Sequence, residues 1–577
     1  MVEQKKSRWK FAEVDEHLVK NISGRFGIDK VVATVMVSNG ISNETDAARF
    51  IFPKLANVAD PFLIVNMDSA VKLLDKHIQA HSEISVIGDY DVDGITGVSL
   101  FLTIMHRFNR FPKFFIPRRF TEGYGISDEI VDRMLAESNP KLVVAIDCGT
   151  NCAKQLRDLT LLGIDVIVID HHISNGEIFN GCVLVNPHIF PSVNNTDAVN
   201  LCAVGLIFKL MHAFLKLRRA AEDRVAFDIK LSNYLDLVAL GTIADMVPME
   251  GENRIFTKFG LENLAAKKRP GLAALCLESG IRNKEKLSSA DVSFKLAPRI
   301  NVCGRLSDAS LPVELLLSND MKLAKKLAAT LETMNKERQK IEHEITAQAS
   351  KIVDTNYQNA PGIVLYNENW HSGVVGIVSG KLCRDYNKPC IVLGKERGLA
   401  KGSGRSIHPY NLMDIISKCQ KNIETWGGHA FAVGISLSME KIDQFRNDFC
   451  KAIADYQLDE IEMTINVVCE LNSKQLCNKL ILELDQLQPY GQKNDEPIFC
   501  LRNVHMADPE TFGIHKNHFK FNLFGRNNLC ISCIAWNMSN NMPELNKSFD
   551  MLVKIGLDSW NNFNRIQLTV VDWQYVK

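Results

Sequence analysis

The 577-residue sequence has no excess of charge: 67 Lys and Arg face 67 Asp and Glu, for a formal net charge of zero. That balance excludes a uniformly basic surface and leaves only local patches to hold phosphates. Long apolar runs are also missing, and no stretch approaches the roughly 18 residues that a membrane span requires. The N-terminal "MVEQKKSRWKFAEVDEH" has basic residues with no apolar stretch behind them, so no secretion signal and a cytoplasmic location are expected. Disulfide-scaffold spacing is absent among the 15 cysteines. A chain this long needs no covalent staples, so the thiols are expected to be reduced and buried as small apolar groups. The one C-x-x-C pair, Cys530 and Cys533, sits in a strand-like run without a second pair, which argues against zinc.

What is present is an ordinary globular balance of 46% apolar and 23% charged residues, over a length that suits three or four domains. Residues 1–60 read as a helical and irregular segment without a usable motif. From Asp68, read as a capping residue, "DSAVKLLDKHIQAH" carries Val71, Leu74 and Ile78 on one helical face. Short apolar runs then alternate with helices: "ISVIGD", "LVVAIDCGT", "VIVIDHH" and "CVLVNP". Continuous Val/Ile/Leu runs of that kind indicate a parallel sheet covered on both faces, so an α/β domain is expected over 61–311. A long helix is expected over 312–355, with Leu323, Leu327, Leu331, Met334, Ile341 and Ile345 as its apolar stripe, connecting two domains. Residues 356–457 resume α/β character. Alternating strands such as "FKFNLF" and "RIQLTVVDW" suggest a small OB-type barrel over 458–577.

The chemistry is concentrated at the strand ends. "SVIGDYDVDGITG" places Asp89, Asp91 and Asp93 at alternate positions straight after an apolar run. Carboxylates gathered at the mouth of a buried strand repel one another unless something neutralises them. Asp147 closes the next run and Asp170-His171-His172 the one after, while Asp245 follows the apolar "LDLVALGTIA". In an open α/β sheet the carboxyl ends of the strands converge on the ligand crevice, so these residues are expected to meet. Singly, a D-x-D is a solvated turn, a His-His is a loop, and Asp147 is a helix N-cap. Jointly, carboxylates with one or two imidazoles suit Mg²⁺ or Mn²⁺. So many groups exceed the needs of one ion and match two ions bridged by a shared carboxylate, an arrangement that hydrolyses phosphate esters.

The order "GDYDVDG", "AIDCGT", "VIDHH", "GTIADMVP" resembles the DHH phosphoesterase superfamily. That group includes manganese pyrophosphatases, phosphodiesterases of dinucleotides or short RNA, and the RecJ exonucleases. The resemblance implies that Asp91, Asp93, Asp147, His171 and Asp245 are metal ligands, with Asp147 bridging. By the same likeness His172 touches the scissile phosphate, and Asp89 is a ligand or lies just behind the ligands. Residues 106–120, "HRFNRFPKFFIPRRF", hold five Lys or Arg, five Phe and no acid. "IPRRFTEGYG" is similar to the RecJ pattern, in which an arginine, here Arg119, helps hold a 5′ phosphate. "PRINVCGRLSDA" offers Arg299 and Arg305, of which Arg305 is the implied phosphate contact. "NWHSGVVGIVSGKL", "KGSGRSI" and "GGHAFAVGISL" resemble the DHH-associated domain: Ser403 and Arg405 would grip the 5′ end, and Gly427, Gly428 and His429 would form a phosphate-binding turn.

The likeness to the RecJ family runs from about 50 to 577. It implies a 5′→3′ exonuclease that degrades single-stranded DNA to 5′-mononucleotides in recombination and repair, as a monomer, with a single-strand-binding protein and a RecQ-type helicase as partners. The rivals are a dinucleotide or short-RNA phosphodiesterase and a non-catalytic DHH-fold replication scaffold. Relatives of the first kind lack the terminal barrel, and a scaffold has no reason to keep the acids. In the barrel, Phe519, Phe521 and Phe524 lie near Lys516 and Lys520; alternation puts Phe519 and Phe521 on one face, which suits core packing as well as DNA contact.

Overall fold

A computed structural model describes residues 8–119, 121–123, 125–174, 176–281, 286–306, 309–456, 464–472, 475–513, 516–524, 530–558 and 565–576. The apolar runs of the first half form a five-stranded parallel sheet in the order Lys113–Phe115, Ile84–Gly88, Leu142–Ile146, Asp165–Ile169, Val183–Val185. Every residue of Ile84–Gly88 and Leu142–Ile146 is buried, because helices cover both faces. Val86, Val144, Ile146 and Ile167 pack with the helices Val92–Arg107 and Ala203–Ala220 on one side. Ile87, Val143, Ala145 and Val168 pack with Ile130, Met134 and Leu156 on the other. The first strand is flanked by the second on one side and the third on the other, so the sheet changes direction beside Ile84–Gly88. That switch point is where a crevice opens at the carboxyl ends.

The sheet of the second α/β region runs in the order Thr425–His429, Ala432–Leu437, Leu399–Arg405, Cys390–Glu396, Ile363–Tyr366. Only its last pair is parallel. The third sheet has seven strands, from Glu470–Leu471 at one edge to Ala507–Phe512 at the other, and contains the expected strands His518–Phe524 and Arg565–Tyr575. Phe519 and Phe521 are buried and stacked 5.7 Å apart in its core, so they are packing residues, and Lys520 pairs with Glu510 at 2.9 Å. The Phe524 side chain lies outside the described residues.

Four sequence expectations change. The helix after residue 66 runs Met67–Gln79; Asp68 lies in its first turn and Asn66 occupies the cap position. The expected single helix from 312 is two, Ser310–Leu317 and Met321–Asn356, because Asp320 turns to accept from the N–H groups of Lys322 and Leu323 and starts a new helix. The inward face of that helix is centred on Ala324, Leu327, Ala328 and Leu331, which leaves Leu323 47% exposed. Its far half buries Ile345, Ala349 and Val353 in the second α/β core, so it is a core helix of both domains as well as a connector. The N-terminal segment, read as helical and irregular, forms the helices Glu16–Phe26, Lys30–Ser38 and Glu44–Ile51, which share one core with the terminal sheet, and Arg8–Phe11 pairs in parallel with Thr464–Val467.

Candidate metal centre and phosphate-binding face

Three strands of the first sheet, Ile84–Gly88, Leu142–Ile146 and Asp165–Ile169, continue their ladder for one residue beyond their ends. Asp89 N–H donates to Ile146 O, Asp147 N–H to Ile169 O, and Asp170 N–H to Val185 O, at 3.3, 2.9 and 3.1 Å. Three acids are thereby set abreast at the switch point by backbone register alone. Asp147 does not cap a helix, since the next one begins at Ala153. It takes φ +62°, a left-handed conformation that an aspartate adopts at a cost, of the kind that collects at functional sites. Asp91 caps Val92–Arg107, accepting from Asp93 N–H at 2.9 Å and Gly94 N–H at 3.2 Å. Asp93, in the first turn of that helix, accepts from the first N–H groups of the Ala203–Ala220 helix, Ala203 at 2.6 Å and Val204 at 2.9 Å.

His171 Nε2 sits among three carboxylates: Asp147 Oδ1 at 3.3 Å, Asp245 Oδ2 at 3.5 Å and Asp93 Oδ2 at 3.7 Å. Ligands ~2.1 Å from a six-coordinate ion stand about 3 Å apart as neighbours, so these spacings fit donors around one cation. Asp89, Asp91 and Asp147 form a second group whose ligand atoms lie within 4.8 Å of one another. Asp147 belongs to both arrangements. Its Oδ1 and that of Asp89 are buried without a hydrogen-bond partner, the state of oxygens arranged for a cation.

The electrostatics agree. Burial, then repulsion from neighbouring acids, pushes the carboxyls of Asp89 and Asp147 well up. Burial with repulsion from Asp93 and Asp91 takes Asp245 to about 9. Burial lowers His171, keeping the imidazole neutral and able to donate a lone pair. Burial also opposes charge on His172, but the hydrogen bond and charge of Asp170 outweigh it and carry the ring up to about 9. Asp170 was legible only as the head of its triplet. Its Oδ1 accepts from His171 N–H, His172 N–H and His172 Nδ1 at 2.8, 3.2 and 2.7 Å, and its Oδ2 from Thr150 N–H at 3.0 Å. It is the brace that orients both histidines. Asn186, with no sequence signal of its own, supports it by donating to His172 O and Thr150 Oγ1, each at 2.9 Å. Cys202 also approaches Asp93 and Asp245; its Sγ lies 3.6 Å from Thr242 Oγ1, and burial pushes its thiol well up.

Opposite the acids stand arginines from three segments. The Arg119 guanidinium lies 5.6 Å from the centre of the Tyr90 ring, next to Asp89 in sequence. Arg305 donates to Gly373 O at 3.1 Å across to the second α/β region, and burial, then the charges of Arg119, Arg338 and Arg405, draw it down to about 10. Arg405 donates to Ser403 Oγ at 2.6 Å and Gly404 O at 2.8 Å. Arg299 is spent on Glu332 of the long helix at 2.6 Å. Gly427-Gly428-His429 is not a turn: it is the edge strand of a hairpin whose turn falls at Ala430-Phe431. Register aligns Gly427 with Gly434 and Ser403, and His429 with Ala432 and Arg405. Alternation therefore puts Ser403, Arg405, Gly427 and His429 on one face, with Gly428 on the other. A side chain at Gly427 would meet nothing within 4 Å, so backbone is open to an incoming anion there. Next to Asp245 in the chain, Ala244 and Met246 line a cavity of about 760 Å³ together with Phe294, Arg305, Arg338 and Tyr490.

Three family descriptions match in order along the chain: DHH family, N-terminal domain over 83–242, DHHA1 domain over 359–455, and RecJ OB domain over 468–572. The single-stranded-DNA-specific exonuclease RecJ of Bacillus subtilis is 32% identical, covering 98% of this chain and 71% of its own length. The chain belongs to the RecJ family. RecJ of Haemophilus influenzae is also 32% identical, covering 89% of this chain and 92% of its own. RecJ of Thermus thermophilus in complex with Mn²⁺ has the same fold, at a TM-score of 0.84 and 24% identity, covering all of this chain and 80% of that one. A manganese-bound RecJ structure, 28% identical with a TM-score of 0.59, covers 70% of this chain and 97% of its own.

Proposed function

We propose that this chain is a metal-dependent 5′→3′ exonuclease that hydrolyses single-stranded DNA to 5′-mononucleotides, with two Mg²⁺ or Mn²⁺ ions. The observation that carries it is the meeting of Asp89, Asp91, Asp93, Asp147, His171 and Asp245 at one crevice, faced by Arg119, Arg305 and Arg405. Divalent ions bound there would supply Lewis acidity toward the phosphoryl oxygens and lower the pKa of water. Around them the side chains divide the work. Asp147 is assigned as the shared ligand, and His172, held cationic by Asp170, as the contact to the scissile phosphate. Arg119, Arg305, Ser403 and Arg405 are assigned to the 5′ phosphate, with Gly427, Gly428 and His429 contributing backbone beside it. Residues 61–311 would cut, 356–457 would hold the 5′ end and 458–577 would guide incoming strand.

Its role would lie in recombination and repair, in the cytoplasm, as a monomer working beside a single-strand-binding protein and a RecQ-type helicase. No described helix is long and apolar enough to cross a membrane. The test is release of nucleotides from 5′-labelled single strands in Mn²⁺ or Mg²⁺, against duplex and dinucleotide. Preference for dinucleotide would favour the short-substrate phosphodiesterase, and no release would favour the scaffold. Asp147→Asn should abolish release, and retained activity would overturn the assignment.

A further inference from the structure

We infer that the loop 486–496 of the C-terminal unit is a working part of the metal centre, holding the segment that carries Asp245, and that Arg254 is the positioning residue of that contact. This rests on the reading of Asp245 as a metal ligand. Asp245 ends the helix Leu235–Ala244, and the chain leaves through Met246 at φ +58°. The Met246 side chain is 74% exposed, so its own packing does not hold that left-handed turn. The residues just beyond it are anchored to the loop. Met249 N–H donates to Gln492 O at 2.8 Å, and Glu250 pairs with Lys493 at 3.0 Å. Gly491 faces Met249, whose side chain would stand 3.3 Å from any methyl placed there.

Arg254 closes the contact. It is 2% exposed, and its three nitrogens donate to main-chain carbonyls of two distant segments. Nε reaches Phe50 O at 3.0 Å, Nη1 Leu487 O at 2.9 Å and Nη2 Gln486 O at 3.1 Å, with the guanidinium 3.7 Å from the Phe50 ring centre. Gln486 and Leu487 come directly after the helix Asn478–Asp485, where unpaired carbonyls concentrate negative partial charge. A buried cation satisfied in this way tolerates little displacement, because each lost carbonyl leaves a desolvated donor. The loop is braced from behind by Asn494, which donates to Leu487 O at 2.9 Å and Pro489 O at 2.8 Å and accepts from Asn39 at 3.0 Å. The barrel unit thus fixes residues 249–254, and through the Met246 turn it fixes the carboxylate of Asp245.

The test is a calorimetric Mn²⁺ titration of the full chain, paired with the Mn²⁺ dependence of nuclease activity. Arg254→Met is expected to weaken Mn²⁺ binding about tenfold, the scale of losing a group that orients a ligand, while kcat at saturating Mn²⁺ stays near wild type. Arg254→Lys should fall between. Should Arg254→Met fail to fold, Asn494→Ala loosens the same loop from the barrel side and is expected to show the same weakening. Leu382→Ala, destabilised in the second α/β core, should bind Mn²⁺ as wild type does. Unchanged Mn²⁺ affinity in the loop variants, or equal weakening in Leu382→Ala, overturns the inference while leaving the metal reading intact. A wild-type protein that binds no Mn²⁺ overturns both.

Discussion

Removing Asp245, a proposed metal ligand, should stabilise this protein when metal is absent. Asp245 shows the size of the effect. Burial, followed by repulsion from Asp93 and Asp91, moves its carboxyl from 3.8 up to about 9. An acid whose pKa rises on folding destabilises the fold above its unfolded value, and the loss grows with pH until the folded value is passed. At ~1.36 kcal/mol per pH unit, the interval from 3.8 to pH 7 amounts to about 4 kcal/mol; relief shared with Asp93 and Asp147 leaves on the order of 2–4 kcal/mol. Asp245→Asn keeps the shape and removes the titration.

In EDTA at pH 7 the variant should therefore melt several degrees above wild type, and at pH 5 the gap should shrink to about a third of its size at pH 7. In Mn²⁺ the order should invert. Wild type gains about 4 kcal/mol when the ion stands at a thousand times its dissociation constant, enough to offset the variant's advantage in EDTA, and the variant loses most of that gain. Thermal scans in EDTA and in Mn²⁺ at both pH values, with nucleotide release measured in parallel, give all four terms. A variant less stable than wild type in EDTA, or a gap that does not change with pH, would refute the electrostatic account of the crevice.

Gly94→Ala should abolish Mn²⁺ binding by calorimetry, since its methyl would lie 2.5 Å from Asp89 O and 2.8 Å from Asp89 N, and backbone cannot yield there. Arg405→Ala should raise KM for 5′-phosphorylated strands ~10- to 100-fold, the worth of a charge-assisted contact, and leave 5′-hydroxyl strands nearly unaffected. An equal effect on both would remove Arg405 from the 5′ phosphate. Lys209→Met should cost about 3–5 kcal/mol in urea unfolding, because Glu252, paired with it at 2.8 Å, is left buried and uncompensated. Adding Glu252→Gln should recover part of the loss.

The first sheet was legible because strands buried on both faces are apolar at nearly every position, so their carboxyl ends are marked in the sequence by the charged residue that follows. At Asp89, Asp147 and Asp170 that residue also belongs to the crevice. Order along the chain and the direction of a parallel sheet then bring them abreast without any knowledge of side-chain contacts. Gly427-Gly428 misled because paired glycines favour turns, whereas here Gly428, at φ +149°, lies on a strand where a methyl would strike Ala432 O at 2.2 Å. The glycine serves close strand approach, and the chain reverses one step later.

Distance along the chain set the limit elsewhere. Arg8–Phe11 meets Thr464–Val467 across more than 450 residues, and no local pattern in "RWKF" names its partner. Arg254 sits in "GENRIFTKFG", where a basic residue on a helix reads as a solvated one; only the carbonyls of residues 50, 486 and 487 make it an interior group. Sequence reasoning finds residues whose chemistry is unusual for their place, such as acids at the end of an apolar strand. It passes over residues whose place becomes unusual only after distant segments dock. The proposed metal ligands are of the first kind and their supports, Arg254 and Asn186, of the second, so a candidate site can be read from a chain well before the scaffold that aims it.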